Sequence, residues 1–278
     1  GDDEDLPADL RQATEQAGDA LLSASKKGET FLRVGLLIEE MSRGAKQNQD
    51  LAEPRVLSRV ADVFARKAGI EKFKIFFPNV GTSMQHKKWL TEQGSKAEIS
   101  SLDRPPVLDG EELLVFVQPD IFGLKNAMKY VSLCNDLPYE DRPVVVLLNE
   151  NFGEQEDKGD GFLGVPAMET VQARRLKSGF TVAYYLEQVL SRQSGIIVLF
   201  KQYPKKWRTF VADEGQYKLV SEDIKEPSEE LLYEVVTEFA KQKQANKLWQ
   251  SFRWKRQVEG LLENLGLPKP FQEDYKKK

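Results

Sequence analysis

A turn between an apolar strand and a polar helix is the first place in this sequence where chemistry is conceivable. Pro78-Asn79-Val80-Gly81-Thr82-Ser83 follows the apolar run that closes at Phe77. Backbone amides at such a strand-to-helix turn can hold an anion, so Asn79, Gly81, Thr82 and Ser83 are candidate ligand contacts. The nucleotide fingerprints Gly-x-Gly-x-x-Gly and Gly-Lys-Ser/Thr are both missing there. The bland alternative is an ordinary glycine turn with a Thr or Ser cap, which every α/β unit needs.

His86, the single histidine, sits on the helix after that turn beside Gln85, Lys87 and Lys88. It reads either as an acid/base group near the strand ends or as a surface histidine on a polar face, and the surface reading is preferred. Cys134, the single cysteine, follows Val131 and Leu133 on an apolar face and is expected to be buried and inert. One His and one Cys make neither the usual zinc site nor a disulfide, and a triad would depend on the one imidazole. The acidic stretch 154–160 lacks the alternating ligands and closing Glu of a calcium loop. No catalytic motif is found, and no cofactor or metal is expected.

Cations interleaved with aromatics offer a second kind of chemistry, that of surfaces. Trp207 stands in Lys205-Lys206-Trp207-Arg208. Near the C-terminus, Trp249, Phe252, Arg253, Trp254, Lys255 and Arg256 share one short segment. Such a segment suits a partner or an anionic membrane surface, or else packs back on its own domain. Nucleic acid is disfavoured by the overall balance of 40 Lys+Arg against 44 Asp+Glu, a formal net charge of −4.

The elements that must position these residues follow from periodicity. Helices are expected over 7–25, 54–68 (with Pro54 in the first turn), 82–90 and 121–135, with a helical turn at 171–177. Strands are expected at 31–38 (buried, or else a helix continuing to Met41), 72–77, 96–100, 112–117 (buried), 144–148, 180–186 (weakly alternating) and 196–200, with a loop over 42–50. Residues 207–212 and 217–220 flank Asp213-Glu214-Gly215-Gln216 and read as a β-hairpin, and a helix starts at Pro227-Ser228. Apolar strands alternating with amphipathic helices imply an α/β fold. Its sheet is mainly parallel, doubly wound and Rossmann-like, with a C-terminal β-hairpin and a helical tail. The expected organisation is a disordered acidic start over 1–5, one α/β domain over 6–240 and a helical, aromatic-basic extension over 241–278. No apolar run is long enough to span a bilayer. A start at Gly1 rather than Met is expected of a chain from which a targeting (transit) segment has been removed.

Several short stretches, in order, resemble a plastid family. They are Leu6-Pro7 leading to the strand near 31–38; Ile75-Phe76-Phe77-Pro78-Asn79-Val80-Gly81-Thr82; and the run 114–119 with Arg142-Pro143-Val144-Val145-Val146-Leu147-Leu148-Asn149. The series continues with the run 195–200, Tyr203-Pro204-Lys205-Lys206-Trp207, and Tyr217-Lys218-Leu219-Val220 before Pro227-Ser228. Over roughly residues 6–240 the chain resembles the domain of unknown function numbered nineteen-ninety-five. That family includes low photosystem II accumulation protein three and the C-terminal part of a chloroplast adenylate kinase. The resemblance carries no catalytic residues. It implies a chloroplast location, in the stroma or on the stromal face of the thylakoid. It also implies a photosystem or other thylakoid complex as partner. The expected function is therefore a non-enzymatic assembly factor or accessory subunit, with peripheral membrane contact. The alternative is a regulatory domain that binds a small molecule or nucleotide phosphate at the Pro78–Ser83 turn.

Overall fold

The computed structural model describes residues 6–37, 45–152, 168–191 and 195–243. Helix α1 (Leu10–Ser25) opens on Asp9, whose side chain accepts from the Gln12 N–H at 2.7 Å and fills an otherwise orphaned donor. Its buried face is mostly alanine: Ala13, Ala17, Ala20 and Ala24, with Leu21. Small residues allow a close approach to the next helix; a Cβ added at Gly18 would stand 2.4 Å from a Val63 methyl.

Strand β1 (Phe31–Leu37) leads to α2 (Ala45–Ala68). The polar stretch expected as a loop is helical from Ala45, and Pro54 lies inside α2 instead of in its first turn. Residues 42–44 of that expected loop lie outside the described residues. A prolyl ring removes one donor but does not by itself end a helix already under way. The Pro54 carbonyl is satisfied by the Ser58 hydroxyl at 2.7 Å. Gly69, at φ +71, then turns the chain out of the helix.

Strand β2 (Phe73–Phe77), α3 (Val80–Glu92), β3 (Glu98–Ser101), β4 (Leu113–Val117), α4 (Leu124–Asp136) and β5 (Val144–Leu148) follow. Then come α5 (Met168–Ser178), β6 (Thr181–Ser191), β7 (Gly195–Gln202), β8 (Trp207–Asp213), β9 (Gln216–Asp223) and a last helix, α6, over 229–243. The nine strands form one sheet in the order β3-β2-β4-β5-β1-β6-β7-β8-β9. From β3 to β6 the pairing is parallel; from β6 to β9 it is antiparallel. The fold is thus α/β with a mainly parallel, doubly wound sheet. The expected hairpin is the last half of a four-stranded meander.

Both faces of the sheet are covered, which is why its central strands are apolar throughout. One face buries Val34, Ile75, Val115 and Val146 under α1, α2 and α3, with Leu57 and Phe64 of α2 at the centre. The other buries Phe76, Phe116 and Leu147 under α4 and α5. Val236 and Phe239 of α6 extend that second layer over Ile197 and Val211 of the meander. Truncating a fully buried ring such as Phe64 to alanine costs about 3–5 kcal/mol in cores of this kind.

Candidate functional site

In open parallel sheets the loops that act on ligands leave the carboxyl ends of the strands, where the winding reverses. One such reversal falls between β2 and β4 and another between β1 and β5. The helix after β1 packs on one face and the helix after β5 on the other. The gap between the two strand ends is closed by Asn149. Its backbone takes the left-handed φ of +47 and its side chain is buried. The amide oxygen accepts from the Leu36 N–H at 2.7 Å, and the amide nitrogen donates to the Leu36 carbonyl at 2.9 Å and to Glu53 at 2.8 Å. The side chain thus continues the sheet ladder one rung past Leu148. Gln118 repeats the same turn at the end of β4, again at φ +47, and its N–H donates to the Leu148 carbonyl. The two exits then run together, bridged at Asp120 and Asn151.

Next to this gap Glu150 is held between two cations, 2.6 Å from Arg33 and 3.6 Å from Lys177, with only 8% of its side chain exposed. Farther along the same face, Tyr185 donates to Glu187 at 3.0 Å and lays its ring against Trp207. Burial lifts the Glu187 carboxyl above its usual range, and Glu226 and Glu229 add to the effect against the Tyr185 hydrogen bond.

The turn after β2 is a helix cap. Asn79, not Thr82, is the N-cap: its side chain accepts from the Thr82 N–H at 2.9 Å and from the Thr82 hydroxyl at 3.2 Å. The Asp103 carboxylate takes the Val80 N–H at 3.1 Å, and the Ser83 hydroxyl turns back to the Val80 carbonyl. The Val80, Thr82 and Ser83 amides already face oxygens of the chain itself, and Gly81 gives room for the tight turn beside the Asn79 side chain.

His86 is a correction to the sequence reading. It is 1% exposed and stacks on Phe77 with centroids 4.7 Å apart, and among the described residues neither ring nitrogen has a hydrogen-bond partner. Burial, aided by the nearby Arg55 guanidinium, lowers its pKa to about 4, so the imidazole is neutral at pH 7. Cys134 is fully buried, and burial pushes its thiol up to about 11, away from the thiolate a nucleophile needs.

Trp207 is 4% exposed, its ring folded under Tyr185, so a partner meets the neighbouring lysines before the indole. The structure does not bring the two sequence-derived contact segments together. The Asn79–Ser83 turn follows a parallel strand at the carboxyl edge. The turn before Trp207 follows antiparallel β7 and lies toward the opposite edge, where the Tyr203 N–H reaches the Ala183 carbonyl. Trp249, Phe252, Arg253, Trp254, Lys255 and Arg256 lie outside the described residues.

Sequence reasoning missed a groove at the amino edge, formed by α1, α2 and the end of α3, with a volume of about 800 Å³. Its floor holds Leu10, Val56, Val63, Ile70 and Trp89, and the Arg55 guanidinium lies 5.0 Å from the Trp89 ring centre. Half-buried apolar side chains on three separate helices were its only sequence signal. Among the described residues no three His, Cys, Asp or Glu side chains gather to hold a metal ion, and no helix is long and apolar enough to cross a membrane.

The model of a family described as a domain of unknown function (DUF1995) matches residues 7–234, from the start of α1 into α6. The chain belongs to this family. The matched residues include all nine strands, so the DUF1995 unit here is the whole sheet with its covering helices. No curated protein matches the chain.

Proposed function

We propose that this DUF1995 protein works by binding: it docks on a photosynthetic membrane complex of the chloroplast as an assembly factor or accessory subunit. The observation that carries the reading is the carboxyl edge of the sheet. Its polar groups are spent inside the chain, by Asn149 across β1 and β5, by Asp103 and Asn79 at the α3 cap, and by the cations on Glu150. Beside exposed Asp103 and Arg104, this edge offers two large apolar side chains outward. Phe122, in the loop before α4, is 89% exposed, and Met84, in the first turns of α3, is 69% exposed. The two loops abut through the exit of β3: Leu102 presses on Gly123, while Asp103 caps Val80. Exposed aromatic and Met side chains on a rigid frame suit a protein contact better than an enclosed reaction. The plastid resemblance of the sequence supports the choice of partner. A nucleotide-phosphate reading needs the α3 turn, where the Val80, Thr82 and Ser83 amides already bond oxygens of the chain.

Native-gel separation of gently solubilised thylakoids tests this. The protein is expected to co-migrate with a photosynthetic complex after a moderate salt wash. Phe122→Ser with Met84→Ser is expected to release it while leaving Tm within about 2 °C of wild type. Migration of the native protein as a free species sinks the proposal.

A further inference from the structure

We propose that the groove between α1, α2 and α3 holds an acidic amphipathic segment of another protein. It lies at the amino edge of the sheet, away from Phe122 and Met84, so the inference stands apart from the docking reading above.

Two features choose the occupant. The first is the floor. Leu10, Val56, Val63 and Ile70 are each only partly buried, and with Trp89 they leave an apolar strip in water along three helices. An open groove of this kind fits the apolar face of a short helix, with anchors spaced along it, better than it encloses a small molecule.

The second is the rim. Arg11, Arg59, Arg66 and Lys96 border the groove. Arg11 and Lys96 have no partner among the described residues; Arg59 donates to the Gln93 amide at 3.1 Å, and its charge also acts on Asp62. The carboxylates on the same lining are mostly committed. Glu15 bonds Lys67 at 2.9 Å and Arg66 at 3.3 Å, and Asp62 accepts from Ser95 at 2.6 Å. Burial raises the Asp62 carboxyl, against the Ser95 hydrogen bond and the charge of Arg59. Four cations face three carboxylates on the lining, so the rim is cationic on balance, with exposed Glu71 at the Gly69–Glu71 end. Acidic residues flanking the apolar anchors match the Arg11, Arg59 and Lys96 side, and a neutral or basic residue matches the Glu71 end.

The test uses the full chain and a fluorescein-labelled amphipathic peptide of Leu and Glu, with a Leu and Lys peptide of identical pattern as control. Anisotropy is expected to show binding of the Leu/Glu peptide alone, weakening as salt rises. Arg11→Glu with Lys96→Glu is expected to weaken that binding by about tenfold or more, and both sites are surface-exposed, so Tm should hold. No binding of the Leu/Glu peptide, equal binding of both peptides, or an unchanged affinity in the double variant overturns the proposal. Sedimentation with phosphatidylglycerol vesicles that depends on Arg11 and Lys96, without peptide binding, assigns the groove to lipid and also overturns it.

Discussion

The side chain of Asn149 bonds both the N–H and the carbonyl of Leu36, 113 residues earlier in the chain, as if it were one more residue of β5. Removing it leaves two buried backbone groups without partners, each costing about 1–3 kcal/mol. Asn149→Ala is expected to lower stability by about 2 kcal/mol or more in urea unfolding. Asn149→Gly loses the same bonds but accepts φ +47, and is expected to be less damaging than alanine by about 1 kcal/mol.

The buried imidazole of His86 makes acid a specific stress. Its folded pKa, about 4, lies below the unfolded value of 6.5. Its contribution is complete above pH 6.5, where both states are neutral. It is lost as pH falls from 6.5 toward 4, because the unfolded chain takes up the proton first. Tm is expected to decline over that window in the wild type and to decline less steeply in His86→Leu. Parallel profiles for the two proteins would show that His86 is not the group responsible.

Lys74 and Glu111 form a buried ion pair at 2.5 Å, with Glu98 also 3.2 Å from the lysine. Burial alone would lift the Glu111 carboxyl, but the Lys74 hydrogen bond and the Asp109 and Glu111 amides together hold it below the usual range. Lys74→Met strands that carboxylate and is expected to cost about 3–5 kcal/mol, whereas adding Glu111→Leu should restore most of the loss. Chemical denaturation of the two single variants and the double variant gives the coupling directly.

Gly35 lets the Tyr185 ring lie across β1; a Cβ there would stand 2.4 Å from the ring. Gly35→Ala is expected to destabilise by about 1–3 kcal/mol through overpacking. Tyr185→Leu in the same chain should relieve part of that cost, so the pair is expected to be non-additive in a double-mutant cycle.

Much of this fold was legible because its central strands are unmixed runs: Val144–Leu148 is a strand to the residue, and alternating strands and helices announced the parallel sheet. Pro54 misled because proline favours a first turn as strongly as it resists an interior one. Strand β6 was read short because the polar Glu187 and Gln188 follow the apolar run, although they pair on with β7 as far as Ser191. His86 was assigned to the surface by its polar neighbours, although Ser83, His86 and Leu90, the buried positions of α3, are spaced as one helical face. The candidate site was less legible. Whether a turn amide is free depends on Asp103, twenty-odd residues away, and a groove made by three helices has no local pattern at all.

The place of β1 in the sheet decides when the sheet can form. It is the first of the described strands to be made, yet its neighbours are β5 and β6, so Phe31 waits for Val145 and Leu37 for Glu187. Until those residues exist, an apolar strand near the start of the chain has both its edges unpaired. Pairings so distant in sequence must be closed against a large loop entropy, which slows folding and prolongs exposure. The nascent protein is therefore exposed to aggregation from the synthesis of β1 until that of β5 and β6, and a fragment ending before β5 would keep that strand open on both sides.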